Sequence, residues 1–391
     1  MRIRYLLLNA YAYGGTVRTV VNQANALAAV GHTVEVVSVR RNRAAPPFGL
    51  HPAVRLQPLV DGTEPAAARW ARPLEAWLAG RPSGLVAESE GQYGRFSRLS
   101  DWRLVRYLRG LDGGVLVTTR PALSLLSARF APAGVVRIGQ EHRYYGHYGA
   151  DLAREIDARY RRLHAVTVLT AADRETYAAR LAGAGVRVEQ IPHPLSGGAP
   201  RRSRLDRPLI LSAGRLTADK GFDTLIRAFA DVAADHPEWQ LRIYGTGPER
   251  DRLRALINER HLYNHVYLMG TTPRLERELA KASVFALAAP QAGCGMALAE
   301  AMSHGVPPVG FDCPHGPREL IRDGPSPDGV LVSPPGDAGA LGRALRKLVE
   351  HPELRREMGK RAAESARRYE PGGIRDRWVA LCHALLADPP S

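Results

Sequence analysis

Only three of the 391 residues are cysteine, and only four of the 54 basic residues are lysine. A sparse, odd set of cysteines (Cys294, Cys313 and Cys382) is no disulfide framework and points to a reducing compartment. No stretch approaches the roughly 18–20 continuous apolar residues of a membrane span. The opening MRIRYLLLNAYAYGG has too short an apolar run for a signal peptide, and Gly-Gly and an amphipathic stretch follow where a cleavage site would stand. It reads as a first buried strand, with the mature chain starting at or near Met1 and staying in the cytoplasm. HExxH and paired CxxC are missing, so no metal is expected. There is no GxSxG elbow and no GxGxxG, since Gly14-Gly15 runs on into Thr-Val-Arg.

What is present is a soluble globular composition, 45% hydrophobic and 24% charged. The length fits two domains of roughly 150–200 residues. The net charge is +15, carried almost wholly by dispersed arginine. No nucleic-acid module accompanies it, so an anionic ligand, an acidic or lipid-phosphate acceptor or a membrane surface suits it better. Peripheral membrane contact would use 69–81 and 102–109, whose plainer reading is core plus solvated arginine.

Apolar runs alternate with amphipathic stretches, the pattern of a parallel α/β chain. In the first half strands are expected at 3–8, 33–39, 114–118, 135–139 and 165–169, and helices from Thr16, at 151–163 and at 171–181. Residues 41–110 are irregular. Residues 192–208, rich in Pro, Gly, Ser and Arg, read as a linker. A second series follows, with strands at 209–213, 241–244, 266–269, 284–288 and 307–311. Its helices fall at 222–234, 248–259, 274–282 and 296–304, with tail helices at 338–350, 352–369 and 373–386. This predicts an acceptor-side domain over 1–195, a linker over 196–207 and a ligand-side domain over 208–391. Parallel sheets bind ligands at the carboxyl ends of their strands, so both halves should turn their loops to a central cleft.

Four features fall on such loops. Gly14 and Gly15 precede a helix, where backbone can approach an anion closely; the plainer reading is a tight turn. Arg215 and Lys220 leave the first strand of the second half near the next helix start, where a diphosphate would meet two cations. Gly295, Met296 and Ala297 open a helix whose free N–H groups cradle an anion, and Glu300 lies one turn on, able to accept ligand hydroxyls. His142, in QEHRYYGH after strand 135–139, can bond a sugar hydroxyl or handle a proton, or be a satisfied structural histidine, as can His147.

Taken together, these residues resemble the retaining GT-B glycosyltransferases of family 4, also called glycosyltransferase group 1. The likeness covers nearly the whole chain. Its most specific parts are SAGRLTADKGFDTLIRAF and GMALAEAMSHGVPPVGFDCPHGPRELI, supported by YLLLNAYAYGGTVRTVVNQANALAAVGHTVEVVSV and TTRPALSLLSARFAPAGVVRIGQEH. The resemblance implies two Rossmann-like domains facing a cleft, with the C-terminal helix crossing back to the first. It implies a metal-independent, hexosyltransferase-type enzyme with no cofactor, whose nucleotide-sugar donor is best matched by a UDP-sugar. Arg215 and Lys220 match the contacts to the donor diphosphate, and Glu300 the contact to the ribose. Gly14 and Gly15 match the loop that faces donor phosphate and sugar, and His142 the histidine at the sugar. The acceptor would be a cell-wall glycan, a lipid-linked saccharide or a small secondary metabolite. The implied place is the cytoplasm or the inner face of the membrane.

One departure stands out. The family pattern carries a second glutamate eight positions before Glu300, and here that position is Ala292. Either the donor sugar is unusual there, or Gln291 takes over the contact, or transfer is lost. The competing readings are therefore an epimerase or pseudo-glycosyltransferase of the same fold, and a catalytically impaired nucleotide-sugar-binding partner.

Overall fold

The computed structural model describes residues 1–63, 72–196, 200–290 and 295–387. The chain forms two units, Met1–Pro194 together with Pro371–Ser391, and Leu195–Glu370.

The first unit is built on seven strands: β1 (Arg2–Leu7), β2 (Thr33–Arg41), β3 (Val54–Asp61), β4 (Val115–Thr118), β5 (Val136–Gln140), β6 (Ala165–Val168) and β7 (Arg187–Gln190). Their order is β3-β2-β1-β4-β5-β6-β7, and every pairing is parallel. Parallel strands are covered on both faces, so the central ones are apolar throughout. All four residues of β4 and of β6 are buried. The Gly15–Ala28 helix turns Val17, Val20, Val21, Ala24 and Leu27 onto the sheet.

The final helix, Pro371–Ala387, belongs to this unit. It buries Ile374, Trp378, Leu381 and Leu385 in the cluster that holds Tyr5 and Val20. The Trp378 and Tyr5 rings meet edge to face with centroids 6.3 Å apart. The sequence reading counted residues up to 391 with the second domain, although the resemblance implied that the last helix crosses back to the first, where it packs. The apolar face of this helix is matched instead by β1 and the Gly15–Ala28 helix.

The second unit carries β8 (Leu209–Ala213), β9 (Gln240–Tyr244), β10 (Val266–Gly270), β11 (Val284–Leu287), β12 (Pro308–Phe311) and β13 (Val330–Val332). They are ordered β10-β9-β8-β11-β12-β13 and all parallel. In both sheets the order reverses beside the first strand, between β1 and β4 and between β8 and β11. This is the topological switch point at which open α/β sheets bind ligands.

Among the described residues, the stretch 41–110 read as irregular holds a strand, two α-helices and a 3₁₀ turn at Tyr93–Arg95. β3 is an edge strand burying only Val54 and Leu59, so its apolar signal is weak. The Pro73–Ala79 helix buries none of its residues. The Arg98–Arg109 helix starts at a reciprocal Ser97–Ser100 capping box. Further elements escaped the sequence reading, among them β7 and the four-residue Pro317–Leu320 helix. The Pro121–Phe130 helix buries seven of its ten residues and so shows little amphipathic contrast. β13 has three residues.

The stretch read as a linker is packed where it is described. Leu195 and Leu205 are buried. Ser203 N–H donates to the His304 carbonyl at 2.8 Å, and the Arg355 guanidinium donates to the Leu205 carbonyl at 3.1 Å. Residues 197–199 of it lie outside the described residues.

Candidate functional site

In the second unit the predicted anion loops leave β8 and β11, the two strands that flank the switch point. Arg215 follows β8 by two residues and is exposed. No carboxylate pairs with it among the described residues. Lys220 ends the 3₁₀ turn Ala218–Lys220, with Nζ 3.1 Å from the Asp219 carboxylate, itself mostly exposed. Gly221 then takes φ 63° and opens the Phe222–Asp235 helix. A Cβ at Gly221 would lie 2.1 Å from the Ala288 carbonyl oxygen. The loop bearing both cations is thus pressed against the end of β11, and only glycine allows that approach.

Beyond β11, Gly295 caps the Met296–Ser303 helix without any side-chain cap bond. Gly295 carbonyl accepts from Leu298 N–H at 3.0 Å and from Ala299 N–H at 3.2 Å. Met296 and Ala297 fill the first turn, whose amides and dipole favour negative charge. Glu300, in the second turn, is 7% exposed. Residues 291–294, with Gln291, Ala292 and Cys294, lie outside the described residues. Cys313 and Cys382 are buried, and neither forms a disulfide among the described residues.

In the first unit Gly14 caps the Gly15–Ala28 helix just beyond β1, with φ 169° and ψ 155°. That is extended backbone open to any residue, and a Cβ there would meet nothing within 4 Å. The fold therefore places no demand for glycine at Gly14, unlike at Gly221.

His142 follows β5. The sequence reading placed it on the loop after strand 135–139 with no partner named, and the structure makes it half of a pair. Its Nδ1 lies 3.0 Å from His193 Nε2. Burial pushes the His142 imidazole well below its usual range, helped by His193 and by the Arg120 guanidinium. Burial alone brings His193 down to about 4. His193 was read as part of the linker. Its only sequence signal was a histidine two residues past an apolar-patterned segment, too weak to separate from the surrounding prolines. His147 ends the 3₁₀ turn Tyr145–His147 and packs between the Tyr144 and Tyr148 rings.

Glu141, beside His142, was also missed. It is 1% exposed and accepts from Tyr148 and Tyr160 hydroxyls, each at 2.5 Å. Its N–H donates to the Thr167 carbonyl. Burial raises its carboxyl to about 7, against the two phenols that lower it. The pair of phenols anchors the backbone from which His142 projects.

A cavity of about 340 Å³ lies at the carboxyl ends of β2 and β3, lined by Arg40, Arg72, Arg95, Arg103, Asp61 and Glu75. Arg103 is neutralised by both Glu75 oxygens at 2.8 Å, whereas among the described residues Arg40 donates to the Arg95 carbonyl at 3.0 Å and pairs with no carboxylate. Trp77 and Trp102, from the stretches considered for membrane contact, are 54% and 47% exposed. Each carries an arginine over its ring, Arg81 and Arg106 respectively. Residues 69–71 lie outside the described residues. Among the described residues no helix is long and apolar enough to cross a membrane. Nor do three or more His, Cys, Asp or Glu side chains group as metal ligands.

Residues 199–365 match the family model described as Glycosyl transferases group 1. The match spans nearly all of the second unit, which is thus similar to group 1 glycosyltransferase domains. The whole chain is similar to an exopolysaccharide phosphotransferase of Streptomyces coelicolor, 36% identical over 400 residues. That match covers 99% of this chain but 41% of the relative, so the chain spans about two fifths of that protein. An uncharacterized glycosyltransferase of Haemophilus influenzae is 23% identical over 97% of this chain and 99% of its own. Among solved structures, S. aureus TarM in complex with fondaparinux, alpha-GlcNAc-glycerol and UDP superposes with a TM-score of 0.78 at 14% identity. The alignment covers 97% of this chain and 99% of TarM. The pneumococcal O-GlcNAc transferase GtfA, bound to UDP and GlcNAc, gives 0.77 at 14% identity over 99% of both chains. The fold is therefore GT-B: two Rossmann-like α/β units, each with a parallel sheet. In the second unit, the cation loop after β8 and the helix after β11 both fall inside the matched residues.

Proposed function

We propose that this protein is a retaining, metal-independent glycosyltransferase that moves a hexose from a UDP-sugar to a hydroxyl of a cell-wall or polysaccharide glycan. One observation carries the reading: Arg215, a cation with no carboxylate partner among the described residues, and a buried carboxylate, Glu300, flank the switch point of the second unit.

Departure of the sugar puts negative charge on the diphosphate. Arg215, Lys220 and the amides of the Met296–Ser303 helix stabilise that charge by electrostatics set before reaction. Glu300 accepts the ribose hydroxyls. The sugar–phosphate bond breaks as the acceptor oxygen bonds the anomeric carbon on the same face. The acceptor proton passes to the departing phosphate oxygen, so no protein nucleophile is needed. Gly14 and Gly15 leave room for the donor, and His142 bonds the transferred sugar. The acceptor belongs to the first unit.

The names of relatives favour a polymer acceptor. They include an exopolysaccharide phosphotransferase, an amylovoran biosynthesis glycosyltransferase and a poly(glycerol-phosphate) alpha-glucosyltransferase. The arginine-rich cavity beside β2 and β3 suits an acceptor carrying an anionic group. The work of such an enzyme lies in the cytoplasm or at the inner face of the membrane, where nucleotide-sugars are held.

A thermal-shift screen against UDP-, GDP-, ADP- and dTDP-sugars tests the donor. A bound ligand raises the melting temperature as its concentration exceeds its dissociation constant. UDP-sugars should give the largest shift. Donor turnover with a glycan acceptor, read as released UDP with the product anomer unchanged from the donor, tests the rest; an inverted product would overturn the retaining assignment.

A further inference from the structure

His142 and His193 come from the ends of β5 and β7, with β6 between them, so neither local sequence nor strand pairing brings them together. Their rings lie 5.1 Å apart, tilted by 39°, and are joined through His142 Nδ1 and His193 Nε2 at 3.0 Å. The two remaining nitrogens, His142 Nε2 and His193 Nδ1, are buried and have no hydrogen-bond partner among the described residues.

A neutral imidazole carries one N–H and one lone pair. At 3.0 Å two facing lone pairs repel, and two facing N–H groups collide. One ring must donate and the other accept, so the pair has two arrangements, and they give opposite characters to the outer nitrogens. If His142 donates, its Nε2 is a bare acceptor and His193 Nδ1 is a buried N–H. If His193 donates, His142 Nε2 carries the N–H and His193 Nδ1 is a bare lone pair. An orphaned buried N–H is the rarer and costlier defect. The second arrangement confines that defect to His142, where a ligand oxygen relieves it. The first leaves it on His193 permanently.

We infer that His193 is a positioning residue: its Nε2–H donates to His142 Nδ1 and fixes His142 as an Nε2–H donor to a ligand oxygen. The inference rests on the proposed function for the identity of that oxygen, a hydroxyl of the transferred sugar, but not for the tautomers. The groups facing the pair favour the neutral rings on which it depends. Arg120 opposes protonation of His142, and Arg120 is itself held by Glu90 at 3.1 Å. His193 is the second-last residue of Met1–Pro194, so the donor stands where the chain leaves the first unit.

Two-bond ¹H–¹⁵N spectra of the imidazoles in the full-length protein read the tautomers directly. Both rings should show the Nε2–H pattern and remain neutral at pH 6. In His193→Phe, which keeps bulk and removes the donor, His142 should sample both tautomers and titrate closer to 6.5. In His193→Gln, whose amide N–H reaches a similar position, the Nε2–H pattern should return. With a UDP-sugar that is turned over, His193→Phe should lower kcat about tenfold while leaving the KM for donor within about twofold. His193→Gln should recover most of the loss. The inference is overturned if His142 keeps a pure Nε2–H pattern in His193→Phe, or if wild-type His142 shows Nδ1–H. A protein with the expected tautomers but no transfer from any nucleotide-sugar would sink the proposed function and leave the pairing standing. If His193→Phe does not fold, the wild-type and His193→Gln spectra decide alone.

Discussion

Gly14 and Gly221 show how two glycines at loop ends serve different physics. Gly221 sits at φ 63° with the Ala288 carbonyl 2.1 Å from where a Cβ would stand. Gly221→Ala must move backbone, and should cost roughly 2–4 kcal/mol in urea unfolding. Gly14 is extended with open space around it, so Gly14→Ala should change stability by less than about 0.5 kcal/mol. If the glycine is kept for a ligand, the same change should still depress turnover of the nucleotide-sugar. Equal activity in Gly14→Ala would remove the loop from the site. For the cations, Arg215→Ala or Lys220→Ala each removes one charge-assisted hydrogen bond to phosphate, about 1.5–3 kcal/mol. That predicts a loss of roughly 10- to 100-fold in kcat/KM, and undiminished turnover would place the diphosphate elsewhere.

Glu141 and His193 give opposing pH dependences. The Glu141 carboxyl is raised to about 7 in the folded state. Between the unfolded carboxylate value and about 7 the folded chain holds the extra proton, so this group makes stability fall as pH rises. His193 is lowered to about 4. Between the unfolded imidazole value and about 4 the unfolded chain holds the extra proton, so this group makes stability fall as pH drops. In the overlap the two trends offset each other. Glu141→Gln removes one of them, so unfolding monitored from pH 7 to pH 5 should show a steeper loss on acidification than wild type. A slope no steeper than wild type would mean that the carboxyl is not raised.

At the scale of elements, the Pro371–Ala387 helix is the part whose place matters most. Trp378 is almost wholly buried against Tyr5, so Trp378→Ala should cost about 3–5 kcal/mol. Deleting residues from Pro371 onward should uncover Tyr5, Val20 and their neighbours and leave the first unit unfolded or aggregated. A well-dispersed amide spectrum for residues 1–194 alone would refute this. The helix was legible as a helix from its spacing of Ile374, Trp378, Leu381 and Leu385. Its own residues do not name its partner, which only the family resemblance implied, because the matching apolar face lies more than three hundred residues away in sequence, on the Gly15–Ala28 helix. Edge elements were illegible for the opposite reason: β3 and the Pro73–Ala79 helix bury so little that no periodicity marks them.

At the scale of the whole molecule, the sequence alone determined the α/β class, the succession of parallel units and the loops rich in glycine and cations. Those properties are written locally, in apolar periodicity and in residues that suit an anion at a helix start. Tertiary structure decided that β8 and β11 are neighbours, so that Arg215 and Glu300 flank one switch point. It also decided which apolar face receives the last helix, a return that the resemblance had implied, and that His193 meets His142 across β6. Each of these depends on strand order and chain return. Burial of apolar faces sets them collectively, and no short segment encodes them.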